Sequence, residues 1–334
     1  MSYILLTGGF GYIGTHIITI LARENINFIV YDNFTNCKKS VIKKLEKITN
    51  NKVNFIEGDI RDKKLLEDTF KSYKITSVIH LAALKSINNS IARPLDYFDV
   101  NVTGTINLLN VMNLNGVKKL IFSSSAAIYG EPKYLPIDEI HPLKALNPYG
   151  ETKLIVENLF KEIISSDKKW SIVCLRYFNP IGSHQSKLIG DDPLSEKSVN
   201  LMPAIINVVK GFKKELDVFG NNYKTKDGTG VRDYIHIMDL AEAHFKASQF
   251  INSSNGLNIF NLGTGKGISV MELVKTFENV TGLKIPLKIK ERRQGEVSSC
   301  YADPTKANNF LDWHANYNLE KMTLSAWEFS KENI

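Results

Sequence analysis

Short apolar runs alternate with amphipathic stretches through the first half of the chain. Tyr3 to Thr7, Phe28 to Tyr31, Val53 to Glu57, Ser77 to Leu81, Lys119 to Phe122 and Ser171 to Arg176 read as strands. Between them Ile13 to Asn25, Lys38 to Ile48, Lys63 to Ser72, Pro94 to Asn115 and the stretch opening at Asn147 read as helices. Strand and helix in regular alternation predict an α/β fold built on a doubly wound parallel sheet.

After Arg176 the alternation loosens. Leu201 to Lys210 is helical, Leu216 to Phe219 is a short strand-like run, and Asn221 to Asp233 is a loop. Met238 to Phe250 is a helix, Leu257 to Asn261 a strand, and Ser269 to Gly282 another helix. The expected division is a first domain over 1–180 and a smaller, mainly C-terminal lobe over 181–334, with a segment near 234–262 a candidate to rejoin the first sheet. No repeat, low-complexity stretch or linker marks an independent domain.

Composition narrows the function classes. The 334 residues are 43% hydrophobic and 23% charged, as in a water-soluble globular protein. The formal net charge is +7, but the lysines are scattered (Lys38-Lys39, Lys63-Lys64, Lys213-Lys214) rather than gathered into a stripe, so nucleic acid is not an expected partner. Three widely separated cysteines, Cys37, Cys174 and Cys300, have no metal-ligand spacing and suit free thiols in a reducing compartment. No apolar run approaches the ~18 residues of a membrane span. No leader pattern precedes Tyr3, and a cytoplasmic location is expected.

Candidate chemistry begins directly after the first strand. Gly8, Gly11 and Gly14 follow Tyr3 to Thr7 and open a helix, a spacing that permits a tight turn and close backbone approach to a pyrophosphate. The second strand ends at Asp32, 18 residues beyond Gly14, where a carboxylate would accept from an adenosine ribose. It would also repel a 2′-phosphate, which favours NAD over NADP. Asp59 lies just past the third strand and is a candidate for adenine. Ala82, Ala83 and Lys85 follow the fourth strand, where small residues admit a cofactor and Lys85 would reach ribose or phosphate, or solvent.

Asn147-Pro148-Tyr149-Gly150-Glu151-Thr152-Lys153 reads as a helix start, with Asn147 as N-cap and Pro148 at the first helical position. Tyr149 and Lys153 would share one face. The helix dipole and the lysine charge are expected to lower the tyrosine pKa and make it a general base. The same spacing recurs at Tyr129 to Lys133, where Pro132 forbids a helix, and at Tyr317 to Lys321, which has no partner motif. Only the Tyr149 copy follows a serine-rich strand end, Ser123-Ser124-Ser125.

The glycine loop, the serine cluster and Tyr149-x-x-x-Lys153 together resemble the extended short-chain dehydrogenase/reductase family, and within it the enzymes that epimerise UDP-hexoses at C4. Further stretches carry the resemblance: Leu175 to Pro180, Asn200 to Pro203, Phe219 to Asn221, Asp227 to His236, Asn261 to Gly265 and Arg292 to Gly295. The resemblance implies a Rossmann-like domain with tightly bound NAD and a C-terminal lobe that holds a UDP-sugar. It implies that Ser125 and Tyr149 meet the substrate 4-hydroxyl while Lys153 holds the nicotinamide ribose. It extends the cofactor contacts to Tyr12, Ile13, Asn33, Ile60, Leu81 and Phe178. Substrate contacts are implied for Lys85, Asn179, Asn200, Leu201, Phe219, Arg232 and Arg293. A homodimer through the helices near Pro94 to Asn115 and Pro148 to Ser165 is also implied.

Four departures qualify the match. Phe10 stands where the family has a small residue, and would lie over the cofactor or turn to solvent. Glu296 replaces an Asp as a ribose contact, and Asp191 to Lys197 differs from the usual pattern. Cys300 stands where a bulky tyrosine would confine the hexose pocket, so UDP-N-acetylglucosamine and UDP-N-acetylgalactosamine are expected substrates beside UDP-glucose and UDP-galactose. Alternatives within the family are a nucleotide-sugar 4,6-dehydratase, whose Asp-Glu pair is replaced here by Ala126-Ala127, and a UDP-glucuronate decarboxylase. Outside enzymes, the alternative is an NAD-sensing binding protein. No metal is expected.

Overall fold

The computed structural model describes residues 1–192, 200–293 and 295–333. Seven strands form one sheet in the order Gly256–Leu262, Ser171–Tyr177, Lys119–Ser125, Ile75–His80, Tyr3–Thr7, Phe28–Asp32, Phe55–Glu57, and every neighbouring pair is parallel. The late strand Gly256–Leu262 therefore sits at one edge of the sheet built by the first half.

Side-chain alternation explains why the strand sequences read as continuous apolar runs. Ile4, Leu6, Val30, Ile79, Ile121 and Val173 pack into one core. Leu5, Ile29, Tyr31, Val78, Leu120 and Ile172, their immediate neighbours in sequence, pack into another on the opposite face. Helices cover both faces, so neither set meets water. The first strand is flanked by the second on one side and the fourth on the other, which opens a crevice at the carboxyl ends of these strands.

The region read as one helix from Pro94 to Asn115 is broken. Pro94–Phe98 is α-helical, Asp99–Thr103 forms a π-helical turn, and Gly104–Leu114 resumes the α-helix. A further short helix, Ile87–Ala92, precedes it. A third core gathers Met202, Ile205, Leu216, Val218, Leu273, Phe277, Met322 and Ala326 from late segments. There Leu287–Lys290 pairs in parallel with Leu216–Phe219. Ser299–Cys300 pairs with Val231–Arg232, so that Cys300 stands opposite Arg232.

Candidate active site

The glycine loop is a cradle whose first and last glycines, Gly8 and Gly14, admit no side chain. Gly8 has φ +69°, and a Cβ there would lie 2.6 Å from the Ala82 nitrogen; one on Gly14 would lie 2.5 Å from the Gly9 Cα. A Cβ at Gly11 would meet only the Gly8 carbonyl at 3.5 Å, which leaves the loop's outer side open. Gly8, Leu81, Ala82 and the start of the Tyr12–Arg23 helix thus converge, and the helix N-terminus offers free N–H groups to an anion. Ile13 packs against the core, and the Tyr12 hydroxyl donates to the Gly182 carbonyl at 2.8 Å.

Asp32 closes the cradle. Its carboxylate accepts from the Phe10 and Phe34 N–H groups at 2.9 and 2.8 Å, and burial raises its pKa against those bonds. The Cys37 thiol also donates to Oδ1, at 3.8 Å, so Oδ2, with the Phe10 N–H alone, keeps a lone pair for a ribose hydroxyl. Phe10 neither lies over the crevice nor faces solvent: it is 1% exposed, stacked on Phe34 with centroids 5.1 Å apart and edge-on to Phe55. Asp59 is held by Arg61 and accepts from Asn33 at 2.8 Å; the Arg61 hydrogen bond pulls its pKa down to about 2. The Ile60 side chain is buried in the core against Gly104, which leaves only its backbone for a ligand. Lys85 is exposed, and its charge acts on the half-buried Asp191.

The Tyr149 helix starts as its sequence dictates. Asn147 accepts from the Gly150 N–H at 2.9 Å, and Pro148 leads the helix Pro148–Ser166. Ser125 ends its strand and accepts from the Ala127 N–H at 3.2 Å, and its hydroxyl acts on Tyr149 to lower the phenol's pKa. Lys153 is 3% exposed, donates to the Ser123 carbonyl at 2.7 Å, and stands 6.0 Å from the Tyr149 ring centre.

The ionisation expected of this pair is reversed in the protein alone. Burial raises the Tyr149 pKa, and the Ser125 hydrogen bond offsets only part of that. Burial also lowers the Lys153 pKa to about 7, against the raising effect of the Glu157 charge. A helix start and a spacing say nothing about dehydration, which dominates both groups here.

Beneath the site runs a buried polar chain. The Ser124 hydroxyl donates to Glu157 at 2.5 Å, and Arg176 donates to the same carboxylate through Nε and Nη2 at 3.1 and 2.6 Å. Arg176 reaches the Tyr129 hydroxyl at 2.8 Å, and Tyr129 donates to Asn261 at 2.6 Å. On the other side, Asn101 in the π-helical turn donates to the Leu84 carbonyl and to Thr152 Oγ1, each at 3.0 Å, and accepts from the Leu84 N–H at 2.8 Å. It ties the loop beyond Ala82 to the helix that carries Tyr149.

The arrangement joins a dinucleotide cradle to a Ser-Tyr-Lys cluster at the carboxyl end of one sheet. A family model described as GDP-mannose 4,6 dehydratase matches residues 5–325. The UDP-glucose 4-epimerase of Bacillus subtilis is 45% identical over 99% of this chain and 97% of its own length. The human UDP-glucose 4-epimerase is 44% identical over the same shares. The chain belongs to the UDP-glucose 4-epimerase family, within the extended short-chain dehydrogenases. The Stenotrophomonas maltophila epimerase, solved with NAD and formylated UDP-arabinopyranose, superposes with TM-score 0.96 at 41% identity over 99% of this chain and 98% of that one. The Bifidobacterium longum epimerase with NAD+ and UDP gives 0.95 at 43% over the same shares. The cradle, Asp32 and the buried Lys153 fit NAD, with which these family members were crystallised.

The other residues expected of a UDP-glucose 4-epimerase lie on the lobe side. Asn179 is half-buried, with its N–H on the Asp233 carbonyl at 2.9 Å; Phe178 is buried with Ile128, Tyr129 and Ala302. Asn200 caps the helix Leu201–Val209 without a side-chain cap bond, and its side chain offsets part of the rise that burial gives the Asp191 pKa. Phe219 ends its strand, and Arg293 lies over its ring with the guanidinium carbon 3.7 Å from the centre, paired to Glu296 at 3.2 Å. Arg232 donates to the Val231 carbonyl at 2.8 Å. Cys300 packs among Ala126, Phe178 and Ala302, and burial pushes its thiol up to about 11. Of the unusual segment Asp191 to Lys197, residues from Pro193 on lie outside the described residues, as does Gln294.

Sequence reasoning gave no role to Asn101, Glu157 or Asp233. Asp233 is fully buried and accepts from the N–H groups of Thr264, Gly265 and Ala302, tying the Arg232 strand to two loops. Asn101 left one signal, an amide amid apolar helical positions. No helix among the described residues is long and apolar enough to cross a membrane.

Proposed function

We infer that this chain interconverts UDP-glucose and UDP-galactose by epimerisation at C4, with NAD held in the Gly8–Gly14 cradle. The observation that carries the reading is the meeting of Ser125, Tyr149 and Lys153 at the mouth of that cradle. Membership of the family, and relatives solved with NAD and UDP or a UDP-sugar, support it. When bound, NAD supplies a hydride acceptor and donor at sugar C4 and a positive charge beside the tyrosine.

The chain's own groups handle the proton and the positioning. Tyr149 takes the proton from O4 and later returns one, assisted by the hydrogen bond from Ser125. Because burial alone raises the Tyr149 pKa, its ionisation depends on positive charge nearby, which Lys153 contributes when protonated. Glu157 favours that protonated form. On the lobe side, Arg232 and Arg293 bind the diphosphate through charge-assisted hydrogen bonds, Phe219 meets the uracil, and Glu296 the ribose. Asn179, Asn200 and Leu201 complete the nucleotide's contacts, and Lys85 approaches from the cofactor side. A grip far from C4 lets the oxidised sugar turn over without escaping.

Ala126-Ala127 after Ser125 leaves no acid-base pair for a dehydratase at that place. The reading extends to N-acetylated UDP-hexoses, because Cys300 is a small side chain at the position where a tyrosine would confine the hexose pocket. It also includes a cytoplasmic homodimer through the Pro94–Leu114 region and the Pro148–Ser166 helix. The deciding experiment supplies all four UDP-sugars to purified protein with no added NAD. Products of unchanged mass with inverted C4 are expected; products lighter by water or carbon dioxide, or no turnover at all, would overturn the reading.

A further inference from the structure

Two consecutive arginines stand on the loop between Leu287–Lys290 and Ser299–Cys300, and they are held very differently. Arg292 lies over Tyr223 at 4.0 Å, donates through Nε to Asn222 Oδ1 at 2.8 Å, and bonds the Asn222 carbonyl through Nη2. Arg293 has a stacking contact with Phe219, at 3.7 Å, and an ion pair with Glu296, at 3.2 Å, between side chains 35 and 32% exposed. Both partners of Arg293 are groups assigned above to the nucleoside, one to uracil and one to ribose. The guanidinium, flat and cationic, occupies one face of the ring and pairs with the carboxylate, so it engages both groups assigned to the nucleoside.

We propose that Arg293 is a specificity-determining residue that covers its own nucleoside site, so that only a ligand carrying a diphosphate draws it off. This rests on the UDP-sugar reading and deepens it. An exposed cation–π contact and an exposed ion pair together hold the cover by roughly threefold to thirtyfold. A diphosphate offers the guanidinium two charge-assisted acceptors in place of one, which exceeds that hold. Its departure frees Phe219 and Glu296 together. A nucleoside without phosphate gives Arg293 no new partner and must displace it unaided. The site then favours nucleoside diphosphates over nucleosides by more than the diphosphate contacts alone provide.

The test compares uridine and UDP on NAD-loaded wild-type protein and on Arg293→Ala, with calorimetry for UDP and ligand-observed NMR titration for uridine. In Arg293→Ala, UDP is expected to bind about tenfold more weakly, while uridine binds about threefold or more tightly. The opposite signs distinguish the cover from general damage, since a misfolded variant would lose both ligands. Uridine affinity that is unchanged or weaker in the variant, with UDP still bound by wild type, would overturn the cover alone. Wild-type protein that binds no UDP would overturn the substrate reading and the cover with it.

Discussion

Lys153 donates to the Ser123 carbonyl at 2.7 Å, and this one bond fixes the ammonium between the end of a central strand and the helix that bears Tyr149. The ammonium also lies 4.7 Å over the Phe122 ring. Neither contact replaces the water lost on burial, so the pKa falls from its ordinary 10.5 to about 7.

That shift has a sign in stability. Between pH 7 and 10.5 the unfolded chain holds a proton on Lys153 that the folded chain has released, so folding gains as pH rises through the window. From pH 7 to 9 the gain is about 2 kcal/mol in cofactor-free protein. Urea unfolding at the two pH values measures it, and Lys153→Met should flatten the difference. An equal slope in the variant would show that other groups cause it.

Tyr149→Phe removes the proton-transferring hydroxyl and leaves the ring in place. A fall in kcat of about 10²- to 10⁴-fold is expected. NAD content, read from absorbance after denaturation, should stay near one per chain, because the cradle is built from other elements. Full activity in this variant would remove Tyr149 from the mechanism.

The sheet was legible because strands covered on both faces leave continuous apolar runs, and the cradle because Gly8 and Gly14 are required sterically. The π-helical turn at Asp99–Thr103 was not, since apolar spacing passes through it unbroken. Phe10 misled for a related reason: its partners Phe34 and Phe55 arrive from a loop and from a strand distant in sequence, and only tertiary structure turns an intrusive ring into a buried one. The direction of the Tyr149 pKa was misjudged because spacing reports charge and dipole but not burial. Glu157 and Arg176 stand on different elements, and nothing local in either segment announces their pairing.

Cys300 faces Arg232 across a strand pair and packs near Ala126, the residue after Ser125. Cys300→Tyr would fill that space with a ring. Turnover of UDP-N-acetylglucosamine should fall by at least about tenfold while UDP-glucose turnover changes little, since one displaced group at a packed contact costs roughly 1–3 kcal/mol. Equal losses on both substrates would instead make Cys300 a general packing position.

Glu157 and Arg176 form a pair with side chains 0 and 1% exposed, and the Ser124 hydroxyl adds a third bond to the carboxylate. Glu157→Gln leaves a buried guanidinium with neutral partners only, and a loss of about 3–5 kcal/mol is expected. The double variant Glu157→Leu with Arg176→Met removes both charges and should lose distinctly less, because no charge is left stranded. A second readout separates stability from chemistry. The Glu157 charge raises the Lys153 pKa, so its removal lowers that pKa further and more alkaline-sensitive activity should follow. In Glu157→Gln the alkaline limb of kcat should therefore move to lower pH; a limb that stays in place would confine Glu157 to holding the fold.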